Sequence, residues 1–312
     1  MSDIPFRDGT IPYLGYQTWY RIYGTGEEPG KLPLLALHGG PGACHDYLES
    51  LKAIAATGRR VIFYDQIGCG LSGIEESRPE LWTVKTFTDE VDAVRAALGL
   101  EQIHLLGQSW GGMLAMEYML TQPEGVASVT IASSPASMVQ WVEEANRLRD
   151  LLPPDVQATL LRHEAAGTTD SDEYLEAEMV FYHRHVCIPD PFPEFVTRSF
   201  DKLAANPEVY HTMNGPSEFH VIGTLKEWNV IPRLGEIQAP TLVTSGRHDE
   251  CTPLIASTVQ QGIPGAEWVV FEHSSHMAHA EEPDRYMAIL DGFLSRIEAG
   301  GTSDGSARSA GA

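Results

Sequence analysis

Ile103-His-Leu-Leu-Gly-Gln-Ser-Trp-Gly-Gly-Met-Leu-Ala-Met116 reads as a buried strand that turns abruptly into a buried helix, with Gly107-Gln108-Ser109-Trp110-Gly111 as the turn. A G-x-S-x-G pentapeptide says little alone, because Gly and Ser are common in loops. With a strand before it and a helix after it, the serine occupies a strained turn that projects its hydroxyl above the sheet. Small residues at Gly107, Gly111 and Gly112 let strand and helix approach closely. Ser109 is the candidate nucleophile.

Outward from this turn, short apolar runs recur between turn signals: 32–37, 60–64, 126–132, 241–244 and 268–271. Their length and flanks predict buried strands, and amphipathic stretches such as 86–98 and 112–120 predict helices between them. Strands alternating with helices mean an α/β chain with a mostly parallel central sheet, helices on both faces, and ligands beyond the carboxyl ends of the strands. The alternation stops between about Ala136 and Gly235, where 139–152, 154–166, 172–186 and 193–205 all predict helices. We therefore expect residues 1–135 and 236–299 to form the core and 136–235 an all-helical cap inserted into it. Residues 300–312 carry little apolar surface and are expected to be a disordered tail.

The bulk composition narrows the partners. The 312 residues are 43% hydrophobic, enough for a large core. The formal charge of -22, from 43 acidic and 21 basic residues, repels phosphate backbones and anionic membranes, so no nucleic acid or membrane partner is expected. Besides aiding solubility, that charge suits a cationic substrate. Cys44, Cys69, Cys187 and Cys251 show no CxxC spacing, which points away from a zinc knuckle or disulfide framework and toward free thiols in a reducing compartment. No window has the roughly 18 apolar residues of a membrane span and no secretory pattern opens the chain, so a soluble, cytoplasmic protein is expected. Oligomeric state is not legible.

Acyl transfer to Ser109 needs donors for the developing oxyanion. One is the backbone N–H of Trp110, the residue after the serine. The other is expected from Leu37-His38-Gly39-Gly40-Pro41-Gly42, after an early strand, and Gly40 is favoured over Gly39. The acid and histidine should follow the serine in the chain. The run 241–246 ends in Arg247-His248-Asp249-Glu250-Cys251, which makes Asp249 the expected acid, with Glu250 as competitor. The run 268–271 leads into Glu272-His273-Ser-Ser-His276-Met-Ala-His279. His273 lies too close to the strand end and His279 opens the next helix, leaving His276 as the base. No metal or cofactor is needed.

Taken together, the segments 37–42, Phe63-Tyr-Asp-Gln-Ile-Gly-Cys-Gly-Leu-Ser72, 107–112, Met213-Asn-Gly-Pro-Ser-Glu-Phe219 and those around Asp249 and His276 resemble the proline iminopeptidases, serine enzymes of the α/β-hydrolase superfamily. The 213–219 segment is the most particular and resembles the tricorn-interacting aminopeptidase branch. The resemblance implies an aminopeptidase in which Glu218 and Glu250 bind the free α-ammonium of a small peptide or aminoacyl amide. The terminal residue would be proline or another small one such as alanine. It also admits an amino-acid amidase, or an amide hydrolase that removes an aminoacyl protecting group from a macrolactam-type intermediate. A carboxylesterase or lactonase would share the serine, acid and histidine without needing the glutamates. A non-enzymatic binding protein on the same scaffold is a further alternative. Trp110, Phe219, Trp228, Cys44 and Cys251 lie near enough to the motifs to be pocket walls or plain core.

Overall fold

The structure, a computed structural model, describes residues 4–301. Eight strands form one sheet: β1 (Phe6–Tyr13), β2 (Tyr16–Tyr23), β3 (Leu34–Leu37), β4 (Val61–Tyr64), β5 (Ile103–Gln108), β6 (Val126–Ala132), β7 (Thr241–Gly246) and β8 (Glu267–Phe271). Their spatial order is β1-β2-β4-β3-β5-β6-β7-β8. The pairs from β4 to β8 are parallel, whereas β1 with β2 and β2 with β4 are antiparallel. Every residue of β3, β4, β5 and β7 is buried, which a sheet achieves only when both faces are covered.

The β1–β2 hairpin is absent from the strand runs read in the sequence. Its tight turn places Leu14 and Gly15 at φ 48° and 87°, the doubly positive backbone that two-residue hairpins favour. Gly9 and Pro12 interrupt β1, and most of β1 is exposed, so it lacks the apolar run that marked the central strands.

Helices follow the expected alternation. In α1 (Val84–Leu98) the Thr83 side chain accepts the Thr86 N–H, Phe87, Val91 and Val94 bury one face, and Gly99 ends the helix at φ 63°. α2 (Trp110–Leu120) is buried nearly all round. Between β6 and β7 come only helices among the named elements: α3 (Met138–Arg149), α4 (Pro154–Ala166), α5 (Asp172–His185), α6 (Glu194–Ala205), α7 (Glu208–Met213) and a 3₁₀ turn at Ile231–Glu236. α8 (Pro253–Gly262), α9 (Ala278–Glu281) and α10 (Pro283–Gly301) complete the core. Gly300 and Gly301 belong to α10, which corrects the expected start of the tail; the remainder of that tail lies outside the described residues.

The topology itself locates the site. From β3 the chain moves to β4 on one side and then returns to β5 on the other, so the sheet reverses direction between β3 and β5. Loops leaving the carboxyl ends of two such strands diverge and open a crevice. The segment 38–44 leaves β3 there, and Ser109 leaves β5.

Candidate active site

Ser109 sits at φ 57° and ψ -127°, a strained backbone for a residue with a side chain. Its neighbours show why the turn can be so sharp. A Cβ on Gly107 would strike the backbone of Gly111, one on Gly111 would strike the Leu37 carbonyl, and one on Gly112 would strike Ser134. The Ser109 N–H donates to the Ala132 carbonyl (2.9 Å) and its own carbonyl accepts from Gly112 (2.8 Å), pinning the turn to β6 and opening α2. The positive end of α2 therefore faces the hydroxyl.

The loop after β3 packs directly on this turn: a Cβ on Gly39 would come 2.8 Å from that of Ser109. Its N–H groups are not equivalent. The Gly39 N–H donates to the Tyr47 hydroxyl (2.6 Å), which in turn donates to Gln108 Oε1 (2.6 Å). Gly40, at φ 111°, lines the same cavity as Ser109, and neither its N–H nor that of Trp110 has a hydrogen-bond partner among the described residues. Gln66 braces both halves, accepting from Trp110 Nε1 (2.8 Å) and donating from Nε2 to the His38 carbonyl (2.8 Å).

Asp249 and His276 come from the loops after β7 and β8 and meet at 2.7 Å between Oδ1 and Nδ1. Both are buried. The same Oδ1 accepts the Cys251 N–H (2.7 Å), while Oδ2 accepts that of Gly246 (3.2 Å). Gln108 Nε2 donates to the His276 carbonyl (3.0 Å), so the residue before the serine also holds the loop of the histidine. His276 and Ser109 line one cavity of about 470 Å³. The other histidines stand elsewhere: His273 is exposed, and His279, in α9, bonds Ser50 and has its pKa pushed down to about 3 by burial and then by His276.

Glu218 and Glu250 line that cavity too. Glu218 Oε1 accepts from the Tyr210 hydroxyl (2.7 Å), and its carbonyl accepts from Trp141 Nε1 (2.8 Å). Glu250 Oε1 lies 3.7 Å from His276 Nε2, and its Oε2 has no partner although it is buried. Burial raises the pKa of Glu218, against the opposing pull of Tyr210 and His276. Glu250 is raised well above the carboxylate range by burial, then by the charges of Glu218, Asp249 and Glu178. No Lys or Arg lines the cavity. Two acids in one cavity without Lys or Arg on its walls suit a cationic ligand.

Comparison with known proteins gives the same class. Residues 33–283 match the model of the alpha/beta hydrolase fold family. The proline iminopeptidase of Clostridium botulinum is 43% identical over 294 residues, covering 93% of this chain and 98% of that protein. The crystal structure of the Mycobacterium smegmatis proline iminopeptidase aligns with a TM-score of 0.88 at 45% identity, covering 95% of this chain and 100% of the other. That of VinJ aligns at 0.90 with 45% identity, over 93% and 99% of the two chains. The chain belongs to the proline iminopeptidase family of α/β-hydrolases. It is a serine aminopeptidase.

For this iminopeptidase relative, the structure gathers Ser109, Asp249, His276, Gly40, Trp110, Glu218 and Glu250 around two adjoining cavities. Of the five residues weighed as pocket walls, Trp110 lines a cavity, whereas Phe219, Trp228, Cys44 and Cys251 line neither of the two. Phe219 packs on Phe181, and Trp228 donates to Glu117. The sequence reading missed Tyr47, Gln66, Gln108, Tyr210 and Glu178. Gln66 and Gln108 stand inside the quoted motifs, where a polar residue at a strand end was a usable signal. Tyr47, Tyr210 and Glu178 lie on helical segments and carried none.

Proposed function

We propose that the enzyme removes one small N-terminal residue, proline or alanine, from a peptide or amide with a free amine. Glu218 and Glu250 hold the ammonium, and Ser109, His276 and Asp249 carry the chemistry. The observation that carries this reading is the pair of carboxylates, half-buried Glu218 and buried Glu250, that share the cavity of the serine with no Lys or Arg on its walls. An ammonium between them forms charge-assisted hydrogen bonds and relieves their repulsion, so a blocked N-terminus forfeits both. The anchor also sets the register, presenting only the first carbonyl to Ser109.

His276 takes the hydroxyl proton as Ser109 attacks, and Asp249 holds the imidazole and stabilises its charged form. The N–H groups of Gly40 and Trp110 receive the oxyanion. The amine departs with the proton from His276, and water then cleaves the aminoacyl-enzyme by the same groups. Residues 136–235 act as the cap that closes this site from above.

The side chain of the released residue fits the second cavity, about 260 Å³, between Pro41, Trp110, Met113, Met138, Trp141 and Leu225. Its size and apolar walls favour small, uncharged side chains. On the other side of Ser109, Ala43, Val186, Val196, Phe200, Leu203 and Met277 line the larger cavity. Those walls favour a second reading within the same chemistry, an amide whose leaving group is bulky and apolar, of the macrolactam type. All four cysteines are free and buried, in line with a reducing compartment such as the cytoplasm. Among the described residues no helix is long and apolar enough to cross a membrane.

The test is a panel of prolyl and alanyl 4-nitroanilides, each free and N-acetylated. The free amine should be preferred by roughly 100-fold or more in kcat/KM. Equal rates would end the aminopeptidase site assignment.

A further inference from the structure

We propose that Glu178 is a third carboxyl of the ammonium site, a positioning residue that stands behind Glu218 and supports its hold on the substrate amine. This rests on the reading of Glu218 and Glu250 as the ammonium anchor and extends it into the helical insertion.

The geometry begins with α5. Glu178 and Tyr182 are one turn apart on its inner face and line one groove together. Three residues further, the His185 carbonyl accepts the N–H of Glu250 (3.1 Å), so α5 is stitched to the loop that carries Asp249 and Glu250. Glu178 is 8% exposed, and its Oε1 is buried with no hydrogen-bond partner. It lines a groove of the insertion that opens to solvent past Leu175 and Asp201, and whose inner walls include Glu218, Tyr182, Tyr210, Phe200 and Leu203. Four residues, Glu218, Tyr210, Phe200 and Leu203, line both this groove and the serine cavity, so Glu178 stands behind the wall against which the ammonium would lie.

The groups facing Glu178 are acidic or phenolic apart from one imidazole: Tyr174 and Tyr182 on α5, Asp201 on α6, Tyr210 and the exposed His211 on α7, then Glu218 and, beyond it, Glu250. No Lys or Arg lines the groove or the serine cavity. Burial, and then the charge of Glu218, push the Glu178 pKa up to about 8, against the pull of the neighbouring Tyr182 hydroxyl. An uncompensated third carboxyl therefore keeps its proton in the free enzyme. Among the described residues no three His, Cys, Asp or Glu side chains converge tightly enough for a metal ion, so an organic cation is the chemistry that fits.

An incoming ammonium reverses the balance. Its charge lowers the pKa of all three acids, and the proton on Glu178 leaves to solvent. The site then presents one more negative charge to a cation than to a neutral analogue. Glutamine copies a protonated glutamic acid in shape and hydrogen-bonding capacity, so Glu178→Gln separates the two roles. A merely structural, permanently neutral Glu178 would be replaced without effect.

The experiment measures kcat and KM for L-alanyl 4-nitroanilide from pH 5.5 to 8.5, with 4-nitrophenyl propionate as the substrate lacking the amine. For Glu178→Gln, the ratio of kcat/KM between the two substrates should fall roughly tenfold at pH 7.5, through KM rather than kcat. The ascending acid limb for the amine should also move to lower pH, because binding no longer requires the loss of the Glu178 proton. Tyr182→Phe, which removes the neighbouring hydroxyl that favours the charged carboxyl, should move that limb to higher pH, and it serves if the first variant does not fold. An unchanged ratio and unchanged limb in a folded Glu178→Gln would overturn the proposal while leaving the two-glutamate anchor intact. If Glu218→Gln and Glu250→Gln also left the ratio unchanged, the anchor itself would be lost, and the proposal with it.

Discussion

Glu250 shows how binding and stability are set against each other at one residue. It is 1% exposed, one carboxylate oxygen has no partner, and burial followed by neighbouring negative charges holds its pKa well above normal. The folded chain therefore keeps a proton that the unfolded chain releases above the ordinary carboxylate value of 4.5. Stability falls as pH rises from that value toward the raised one. Glutamine carries no such linkage. Glu250→Gln is expected to gain on the order of 1 kcal/mol in stability at pH 8 relative to pH 5, while KM for the amine substrate rises. Thermal melts of both proteins at the two pH values, beside the kinetics, check both halves. A variant destabilised at pH 8 would show that Glu250 is structural rather than functional.

At the scale of elements, the turn between β5 and α2 sets the position of everything else. Gly111 leaves no room for a side chain, because a Cβ there meets the Leu37 and His38 carbonyls, backbone atoms of a fully buried strand and its loop. Neither can yield as the tip of a flexible side chain would. Gly111→Ala should cost about 2 to 3 kcal/mol and displace Ser109 and the Gly40 loop together, lowering kcat more than it raises KM. Denaturant melts and steady-state kinetics of the purified variant test this, and wild-type kcat would refute it. The same element explains what the sequence made legible. Ser109, Asp249 and His276 were readable because each follows a strand whose apolar run marks its carboxyl end. Glu218 was readable only through its resemblance to a family segment. Glu178 was not, since an acid at mid-helix looks the same whether it faces solvent or a buried cluster. The β1–β2 hairpin escaped because an antiparallel edge buries few residues and leaves no apolar run.

At the scale of the whole molecule, the core is locked at the end of the sheet opposite the site. Glu298 of α10 accepts from Arg59 at Oε1 (2.9 Å) and Oε2 (2.7 Å), from the Leu32 N–H (3.0 Å) and from Lys31 (3.2 Å). Arg59 precedes β4 and Leu32 precedes β3, so one carboxylate ties the last helix to the starts of two central strands. The Arg59 side chain is fully buried and that of Glu298 is 4% exposed. Burial alone would raise the Glu298 pKa, but the bonds from Arg59, Leu32 and Lys31 outweigh it and bring it to about 2. The folded pKa is depressed, so the stabilisation is complete above the ordinary value near 4.5 and is lost as pH falls from there through about 2. Glu298→Gln leaves the Arg59 charge short of a buried partner and should cost about 3 kcal/mol at pH 7. The gap between wild type and variant should narrow between pH 4.5 and 2, and urea titrations at pH 7 and pH 3 measure it above that window and within it. Because the clamp grips the strand starts while Ser109, Asp249 and His276 stand beyond the strand ends, kcat/KM of the folded variant should stay at the wild-type value. A loss of activity without a loss of stability would mean that the two ends of the sheet are not mechanically independent.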